Sequence, residues 1–515
     1  MTFLFLAIAL LCVLPLILLV TADPRGLRKI LGCAVLLPAL FMFAGALSSV
    51  SGIKYLLFGG AVLLLFPAVM ALLFVPRWIR WVVLAGLLLP AAVYQVTSIN
   101  FFSQEFYTGT SRGMEVSMIH LTAGLVLGVI FLLKGRIPLV PDWGCIIYLL
   151  YFLLCLPSLA NADNRLFSWF ELWRMMMVYL VFLAVYAYLE YSHGDFALLL
   201  YGAGVLVAVN FLYVVQQHAY GRYQAVGFFP HWNSMAMFMG MMGTLFLSRF
   251  LNRRTTPPTR GWLSLLVCGL AAFAVFRSYS RGAAVCFPVG VLATLVASLT
   301  LAFSPRKLDG LVILVVLGAA GMLYLAPRLF ERFEVAPHAS WDTRVTLAKT
   351  AMNMIEDKPW NGVGLNNWNL KMKPPHSYNE DPRMTGIVET VYLLVAAECG
   401  IPCLLALLLW FGYYLWICLR LMWRLRQSQY FYLPAGLFGG LISVYLQSVL
   451  EWVLKQQLNF IWLMIFFAML SYLNTHWREL RKSELENERV DDEEGLPAEG
   501  VSSSVSEPSP AGQEG

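Results

Sequence analysis

The chain has 515 residues, of which 59% are hydrophobic and 13% are charged, and its formal net charge is +6. Soluble domains contain roughly 45–50% apolar and about 25% charged residues, so this composition excludes an ordinary soluble globular protein. Apolar runs that reach the roughly 20 residues of a bilayer-spanning helix recur along almost the whole length. They predict an all-α, polytopic integral membrane helix bundle.

The apolar runs predict about 12–15 transmembrane helices. In chain order the runs lie at residues 3–20, 28–49, 54–75, 79–98, 116–133, 143–159, 173–190, 196–216, 233–250, 261–276, 282–303, 309–326, 388–419, 432–450 and 456–473. No basic residues precede the first run, so we expect a retained helix and not a cleaved signal. Hydropathy weakens at 388–398, which indicates a short interfacial segment before the span that follows.

The spacing of the runs predicts four regions. Residues 1–214 form N-terminal transmembrane helices, and residues 215–420 form a catalytic region with a long loop at 327–387. Residues 421–476 form the C-terminal transmembrane helices. The tail 477–515 is charged and then rich in Ser, Pro, Glu and Gly, and we predict that it is disordered because it has little apolar surface to bury.

Basic residues in short loops predict the orientation, because cytoplasmic loops carry an excess of Lys and Arg. When the loops are numbered alternately, one set is clearly richer. Its members include Arg25, Arg28, Lys29, Arg77, Arg80, Lys134, Arg136, Arg249, Arg253, Arg254, Arg260, Arg306, Lys307, Arg420, Arg424 and Arg426. We therefore place that set and the C-terminal tail in the cytoplasm, and the long loop on the outer, periplasmic side of the inner membrane.

Several arginines then lie at the outer membrane edge, where this bias disfavours cations. Arg277 and Arg281 stand four residues apart between two apolar runs, Arg222 lies in a glycine-bearing loop, and Arg344 lies in the long loop. Charged residues at a membrane boundary need a partner or a function. Arginine binds phosphate bidentately and keeps its charge at every relevant pH, so a lipid pyrophosphate is the natural ligand.

The long loop carries the remaining polar candidates. Trp341, Val345, Ala348, Met352 and Ile355 recur at helical spacing and predict an amphipathic helix whose apolar face lies on the membrane or the bundle.

His376 follows in a polar stretch, and Glu389 stands at the start of the next apolar run. Either side chain could take a proton from an attacking hydroxyl.

No metal-binding spacing appears in the sequence. The nine cysteines lie inside or beside apolar runs without a CxxC pair, so we expect neither a metal site nor a disulfide set. No cofactor and no nucleic-acid partner is expected.

Four segments resemble the O-antigen ligase/polymerase superfamily. They are GRYQAVGFFPHWN, SYSRGAAV, TRVTLAKTAMNMIEDKPWNGVGLNNW and VYLLVAAECGI, within roughly 215–415. The family shows four features in the same order as these segments. The first two are an outer-loop arginine before a Gly/Pro/Asn turn and a Ser-Arg-Gly at the outer start of a helix. The last two are a large loop with an Arg-led helix and a Pro-x-x-Gly-x-Gly turn, and a helix with a Tyr-Leu and Glu-x-Gly pattern.

The resemblance implies a metal-independent glycosyltransferase that moves a glycan from a polyprenyl-pyrophosphate carrier to a lipid or glycan acceptor. Arg222 and Arg281 would hold the pyrophosphate, with Arg344 and Arg277 as further candidates. Family members often have His-Asn before the Tyr-Leu, where this chain has Glu389 and Thr390. Either Glu389 is the base, or His376 folds back into that role.

Two other functions stay open at this stage. A flippase for lipid-linked sugars would show repeated halves and broken mid-membrane helices, and the sequence has neither an evident repeat nor a charged mid-span residue. A non-catalytic partner in exopolysaccharide assembly would tolerate loss of the usual histidine.

Overall fold

A computed structural model describes residues 67–494, except 105–106, 108, 253–257, 304–306, 308–310, 313–314, 317–337, 377 and 380–385. The described part is about 78% helical, as predicted. The predicted helices at 3–20 and 28–49, most of 54–75 and most of 309–326 lie outside the described residues.

The first described span, Pro76–Thr97, consists of five short pieces (Pro76–Trp78, Ile79–Val82, Val83–Leu88, Leu89–Val93 and Tyr94–Thr97). An antiparallel hairpin follows, with β1 (Ser98–Phe101) paired to β2 (Met114–Ser117) so that Ser98 lies opposite Ser117. The longer helices are α1 (Met118–Lys134), α2 (Trp143–Cys155), α3 (Arg165–Tyr191), α4 (Phe196–Ala219), α5 (Trp232–Asn252), α6 (Pro258–Arg277), α7 (Arg281–Leu301), α8 (His338–Asp357), α9 (Val391–Cys399), α10 (Ile401–Arg424), α11 (Tyr432–Leu450) and α12 (Gln457–Glu494). Short helical turns occupy Leu156–Ala160, Trp368–Lys371, Gln429–Phe431 and Val453–Lys455.

Nine helical segments of the described chain are long and apolar enough to cross a membrane, and the apolar helices Met118–Lys134 and Gly261–Arg277 are somewhat shorter. The polytopic helix bundle predicted from composition is therefore confirmed. The helices α5 and α12 lie at its centre, each with 89% of its most apolar window buried.

Close contacts between small residues bring α5, α7 and α11 together. Gly290 of α7 and Gly439 of α11 approach so closely that a Cβ on Gly290 would lie 2.5 Å from the carbonyl oxygen of Gly439. A Cβ on Gly436 would lie 2.7 Å from Cα of Leu245 in α5. Such contacts let membrane helices pack backbone to backbone, and both α5 and α7 begin at the site described below.

The apolar run at 388–419 is divided into two helices, as its weak initial hydropathy indicated. Gly400 stands at the break between α9 and α10 with φ +92°, a backbone region that glycine enters easily. A Cβ there would lie 2.2 Å from the carbonyl oxygen of Trp360. The loop that contains Trp360 therefore packs directly onto the break.

The prediction of disorder from residue 477 is wrong for residues 477–494, which continue α12. Leu480 is buried, and the carboxylate of Glu484 accepts a hydrogen bond of 2.6 Å from the hydroxyl of Ser428. Lys482 and Glu486 form an i,i+4 ion pair of 3.7 Å, which supports an exposed helix. Residues 495–515 lie outside the described part of the chain.

The long loop contains the predicted amphipathic helix, now α8, but its buried face differs from the predicted one. Leu347, Ala351 and Met354 are buried against the segment that precedes α9, whereas Met352 is 45% exposed. The prediction assigned the apolar face by spacing alone. In the structure the buried face is instead the neighbouring row of side chains, because that row packs against Ile387 and Val388.

Polar contacts at the two ends of the bundle agree with the predicted alternation of loops. At one end Arg80 pairs with Asp195 at 2.9 Å, and the ammonium of Lys134 donates to the carbonyl oxygen of Glu190 at 3.0 Å. At the other end Lys371 of the long loop pairs with Asp163 at 2.6 Å. Each of these three contacts joins two loops that alternate numbering puts on the same side of the membrane.

Candidate functional site

The loop between α4 and α5 is held by two amide side chains. The carbonyl oxygen of the Gln217 side chain accepts from the N–H groups of Val226 and Gly227, at 2.9 and 3.0 Å. Gly227 has φ +59°, and a Cβ there would lie 1.9 Å from Oδ1 of Asn210. Only glycine fits this turn, which directs the loop, including Gln224, towards the beginning of α7.

A short connection between α6 and α7 carries both arginines of the SYSRGAAV motif. Arg277 is buried, and its guanidinium donates to the hydroxyl of Tyr279 at 2.8 Å and contacts Nδ1 of His218. Ser280 caps α7 by accepting from the N–H of Ala283 at 3.2 Å. Arg281 then occupies the first helical position.

Arg281 faces a cavity of about 240 Å³ at this end of the bundle. The cavity is lined by Gln224, His231, Trp232, Asn233, Tyr279, Ser280, Arg281, Arg344, Glu389, Glu451, Trp452, Val453 and Gln456. Three helices begin at its wall, namely α5 at Trp232, α7 at Arg281 and α12 at Gln457. A helix N-terminus carries a partial positive charge and free N–H groups, which favour an anion.

Arg344 brings two carboxylates together in the cavity. One of its terminal guanidinium nitrogens, Nη2, contacts Oε2 of Glu389 and lies 3.4 Å from Oε1 of Glu451. Burial raises the pKa of Glu389, although the charges of Arg344 and Arg281 oppose the shift. Burial and the negative charge of Glu389 raise the pKa of Glu451 to about 7. Glu451 therefore gains or loses its proton near neutral pH.

The structure assembles three of the predicted site residues, Arg281, Arg344 and Glu389, around one cavity. Arg222 is exposed in the loop two residues before Gln224 and does not line the cavity. Arg277 does not line it either.

His376 also lies elsewhere in the long loop. Its Nε2 pairs with Oδ2 of Asp163 at 2.8 Å, and its ring stacks on Tyr378 with a centroid distance of 6.1 Å. It does not line the cavity, so the structure does not fold it back beside Glu389.

Sequence reasoning missed three polar residues of the cavity. Glu451 directly follows the last residue of α11 and is buried, and the neighbouring Gln456 contacts the hydroxyl of Ser234. His231 also lines the cavity, and burial lowers its pKa. A carboxylate that immediately follows an apolar run was the available signal for Glu451.

A second group of charges is buried behind the cavity wall, where the turn Val453–Lys455 leaves the cavity. The ammonium of Lys455 lies 3.2 Å from Oε1 of Glu171 and 3.7 Å from Oε2 of Glu398, and Arg174 contacts the same Glu171 carboxylate. All four side chains are at most 7% exposed. Two positive and two negative charges thus balance each other in the interior.

Three cysteines that are far apart in the sequence come together in the fold, at a spacing that could hold a soft metal ion. The sulfur atoms of Cys155, Cys399 and Cys403 lie within 4.8 Å of one another, and all three side chains are buried. Thiolates are the ligands that Cu(I) and Zn²⁺ prefer. None of the three lines the cavity, so this group is separate from the arginine-lined site.

Comparison with known families finds a similarity in the central part of the chain. Residues 265–408, which include Arg281, Arg344 and Glu389, match the family model described as O-antigen ligase. A search of curated proteins found no match to the chain. The resemblance seen in the motifs is therefore confirmed for this part of the chain: residues 265–408 of this multi-pass membrane protein are similar to the O-antigen ligase family, which supports a ligase- or polymerase-like role in surface-polysaccharide biosynthesis.

Proposed function

We propose that the protein transfers or polymerises a glycan from a polyprenyl-pyrophosphate carrier to an acceptor hydroxyl, at the periplasmic face of the inner membrane. The observation that carries this proposal is the cavity at which Arg281, Arg344 and the beginnings of α5, α7 and α12 converge. The two arginines and the three helix N-termini all favour an anion. A diphosphate leaving group is the anion that such a surface would stabilise as negative charge develops on it.

Arg281 is the proposed principal ligand of the pyrophosphate. Its position at the first residue of α7 combines a permanent charge with the partial positive charge of a helix N-terminus. Arg344 already contacts two carboxylates. We therefore propose that its guanidinium binds the diphosphate while it also holds those carboxylates. Arg222, exposed beside the cavity loop, would meet the carrier before it reaches the cavity.

The proposed reaction is a single displacement at the anomeric carbon. The acceptor oxygen attacks from the face opposite the diphosphate, the bond between carbon and the phosphate oxygen breaks, and the anomeric configuration inverts. The arginines supply the positive charge that a divalent ion would otherwise provide, so we propose that the transfer is independent of metal. A carboxylate of the cavity accepts the proton of the attacking hydroxyl.

The proposed orientation rests on the distribution of basic residues. The end of the bundle that carries Arg80, Lys134 and Arg424 is the richer one and would face the cytoplasm together with the tail. The cavity and the long loop would then open to the periplasm, at the outer edge of the membrane. Reporter fusions after Gln224 and after Tyr378 test this, and cytoplasmic activity of both reporters would contradict it.

Transfer by purified protein separates the proposed enzyme from a flippase or a non-catalytic partner. The protein in detergent is supplied with polyprenyl-pyrophosphate glycan extracted from a deletion strain, and release of the carrier is measured. Arg281→Gln is expected to abolish release, whereas Arg112→Gln, an exposed arginine at the same end of the bundle, should retain it. Movement of the lipid across vesicles without cleavage would instead support a flippase.

Analysis of the surface glycans of the deletion strain distinguishes the two proposed activities, ligation and polymerisation. Loss of attachment with intact chain length indicates a ligase. Single-repeat products indicate a polymerase.

A further inference from the structure

Glu389 and Glu451 share one arginine but lie in different environments. Glu389 makes the close contact with Arg344, and its side chain is 33% exposed. Glu451 stands 3.4 Å from the same guanidinium, and its side chain is only 8% exposed. A carboxylate held tightly by a cation is a weak proton acceptor, whereas a buried and loosely paired carboxylate has a higher proton affinity.

The groups that face Glu451 come from several elements. Arg344 of α8 and Asn233 of α5 favour its ionised form, whereas Glu389 before α9 disfavours it. Arg281 and His231 line the same cavity, and the thiol of Cys286 in α7 is close enough to interact electrostatically with Glu451. The positive charge of Arg344 therefore opposes the rise in the pKa of Glu451, and the negative charge of Glu389 adds to it.

The backbone fixes Glu451 at the cavity. Its N–H donates to the carbonyl oxygen of Gln447 at 2.8 Å, one turn back along α11. Gln447 in turn donates from its side chain to the carbonyl oxygen of Asn233 at 3.4 Å. The carboxylate is therefore presented from the end of a rigid membrane helix, next to the starts of α5 and α7, and not from a free loop.

We propose that Glu451 is the base that removes the proton from the attacking hydroxyl, and that Glu389 positions Arg344 beside it. This inference rests on the proposed function. In the step, the acceptor O–H bond breaks and its proton passes to a carboxylate oxygen of Glu451. The acceptor oxygen bonds to the anomeric carbon, the bond between that carbon and the phosphate oxygen breaks, and its electron pair leaves with the diphosphate against Arg281.

The rate of transfer as a function of pH tests the assignment. With extracted polyprenyl-pyrophosphate glycan as donor, the rate of the wild-type protein is expected to rise with pH through about 7, because the base must be ionised. Glu451→Gln should lower kcat by about 100-fold or more, leave the KM for the donor little changed and remove this rise. Glu389→Gln should keep the rise but move it to lower pH, because the loss of a neighbouring negative charge lowers the proton affinity of Glu451.

A control variant and a conservative variant complete the test of Glu451 as the base. Glu356→Gln, on the exposed face of α8, is the matched control and should behave as wild type. Glu451→Asp keeps a carboxylate and should keep the pH dependence at a reduced rate, which provides a test even if the glutamine variant does not fold.

Two results would overturn the assignment of Glu451 as the base, and only the second would also overturn the proposed function. If wild-type protein transfers glycan but Glu451→Gln keeps its rise with pH, or Glu389→Gln loses it, the inference fails while the proposed function stands. If wild-type protein neither releases the carrier nor transfers glycan, both fail.

Discussion

Removal of the Lys455 ammonium should destabilise the protein more than any exposed charge change. Lys455 is the only group of the four-residue cluster that contacts both Glu171 and Glu398. In Lys455→Met the two buried carboxylates retain only Arg174 as a counter-charge, so one negative charge is uncompensated. Breaking a buried ion pair by removing one partner costs about 3–5 kcal/mol, and we expect a loss of free energy of unfolding in that range.

A second substitution separates the charge effect from lost packing. In the double variant Lys455→Met/Glu398→Gln the cluster is again neutral, and we expect recovery of about 2 kcal/mol of the loss, since neighbouring groups in one network couple by about 0.5–3 kcal/mol. The control is Lys482→Met, whose ion pair with Glu486 is largely exposed. That change should cost less than about 0.5 kcal/mol.

Equilibrium unfolding in mixed detergent micelles, followed by the fluorescence of the sixteen tryptophans, measures all four proteins under the same conditions. The reasoning is refuted if Lys455→Met unfolds within about 0.5 kcal/mol of wild type. It is also refuted if the double variant is less stable than the single one, because neutralisation of the excess charge would then have no benefit.

Three further predictions concern the break between α9 and α10, the metal requirement and the long loop. Gly400→Ala should lower the free energy of unfolding by about 1–3 kcal/mol in the same assay, because it strains a left-handed backbone. The control Gly412→Ala, with no atom within 4 Å of the new Cβ, should be neutral or slightly stabilising. Equal stabilities of the two variants would contradict the packing described at the break. Addition of EDTA should leave carrier release unchanged, and an activity restored only by Mg²⁺ or Ca²⁺ would disprove metal independence. His376→Asn should retain transfer because His376 pairs with Asp163 away from the cavity, and loss of kcat with an intact fold would instead return His376 to the catalytic candidates.

The amino-acid sequence determined the class of this protein and most of its helices, because long apolar runs have one stable arrangement in a bilayer. It also placed Arg281 and Glu389 at helix starts and indicated the separate segment before α10. These properties are local, since each depends on residues that are close together along the chain.

Other properties depended on the tertiary structure. Glu451 became a candidate only because the end of α11 packs beside the start of α7 and the helix α8, which lie far away in sequence. The buried face of α8 and the group formed by Cys155, Cys399 and Cys403 likewise depend on which helices are neighbours. Charge and hydropathy reveal that a residue needs a partner, but only the packing of distant helices decides which partner it meets.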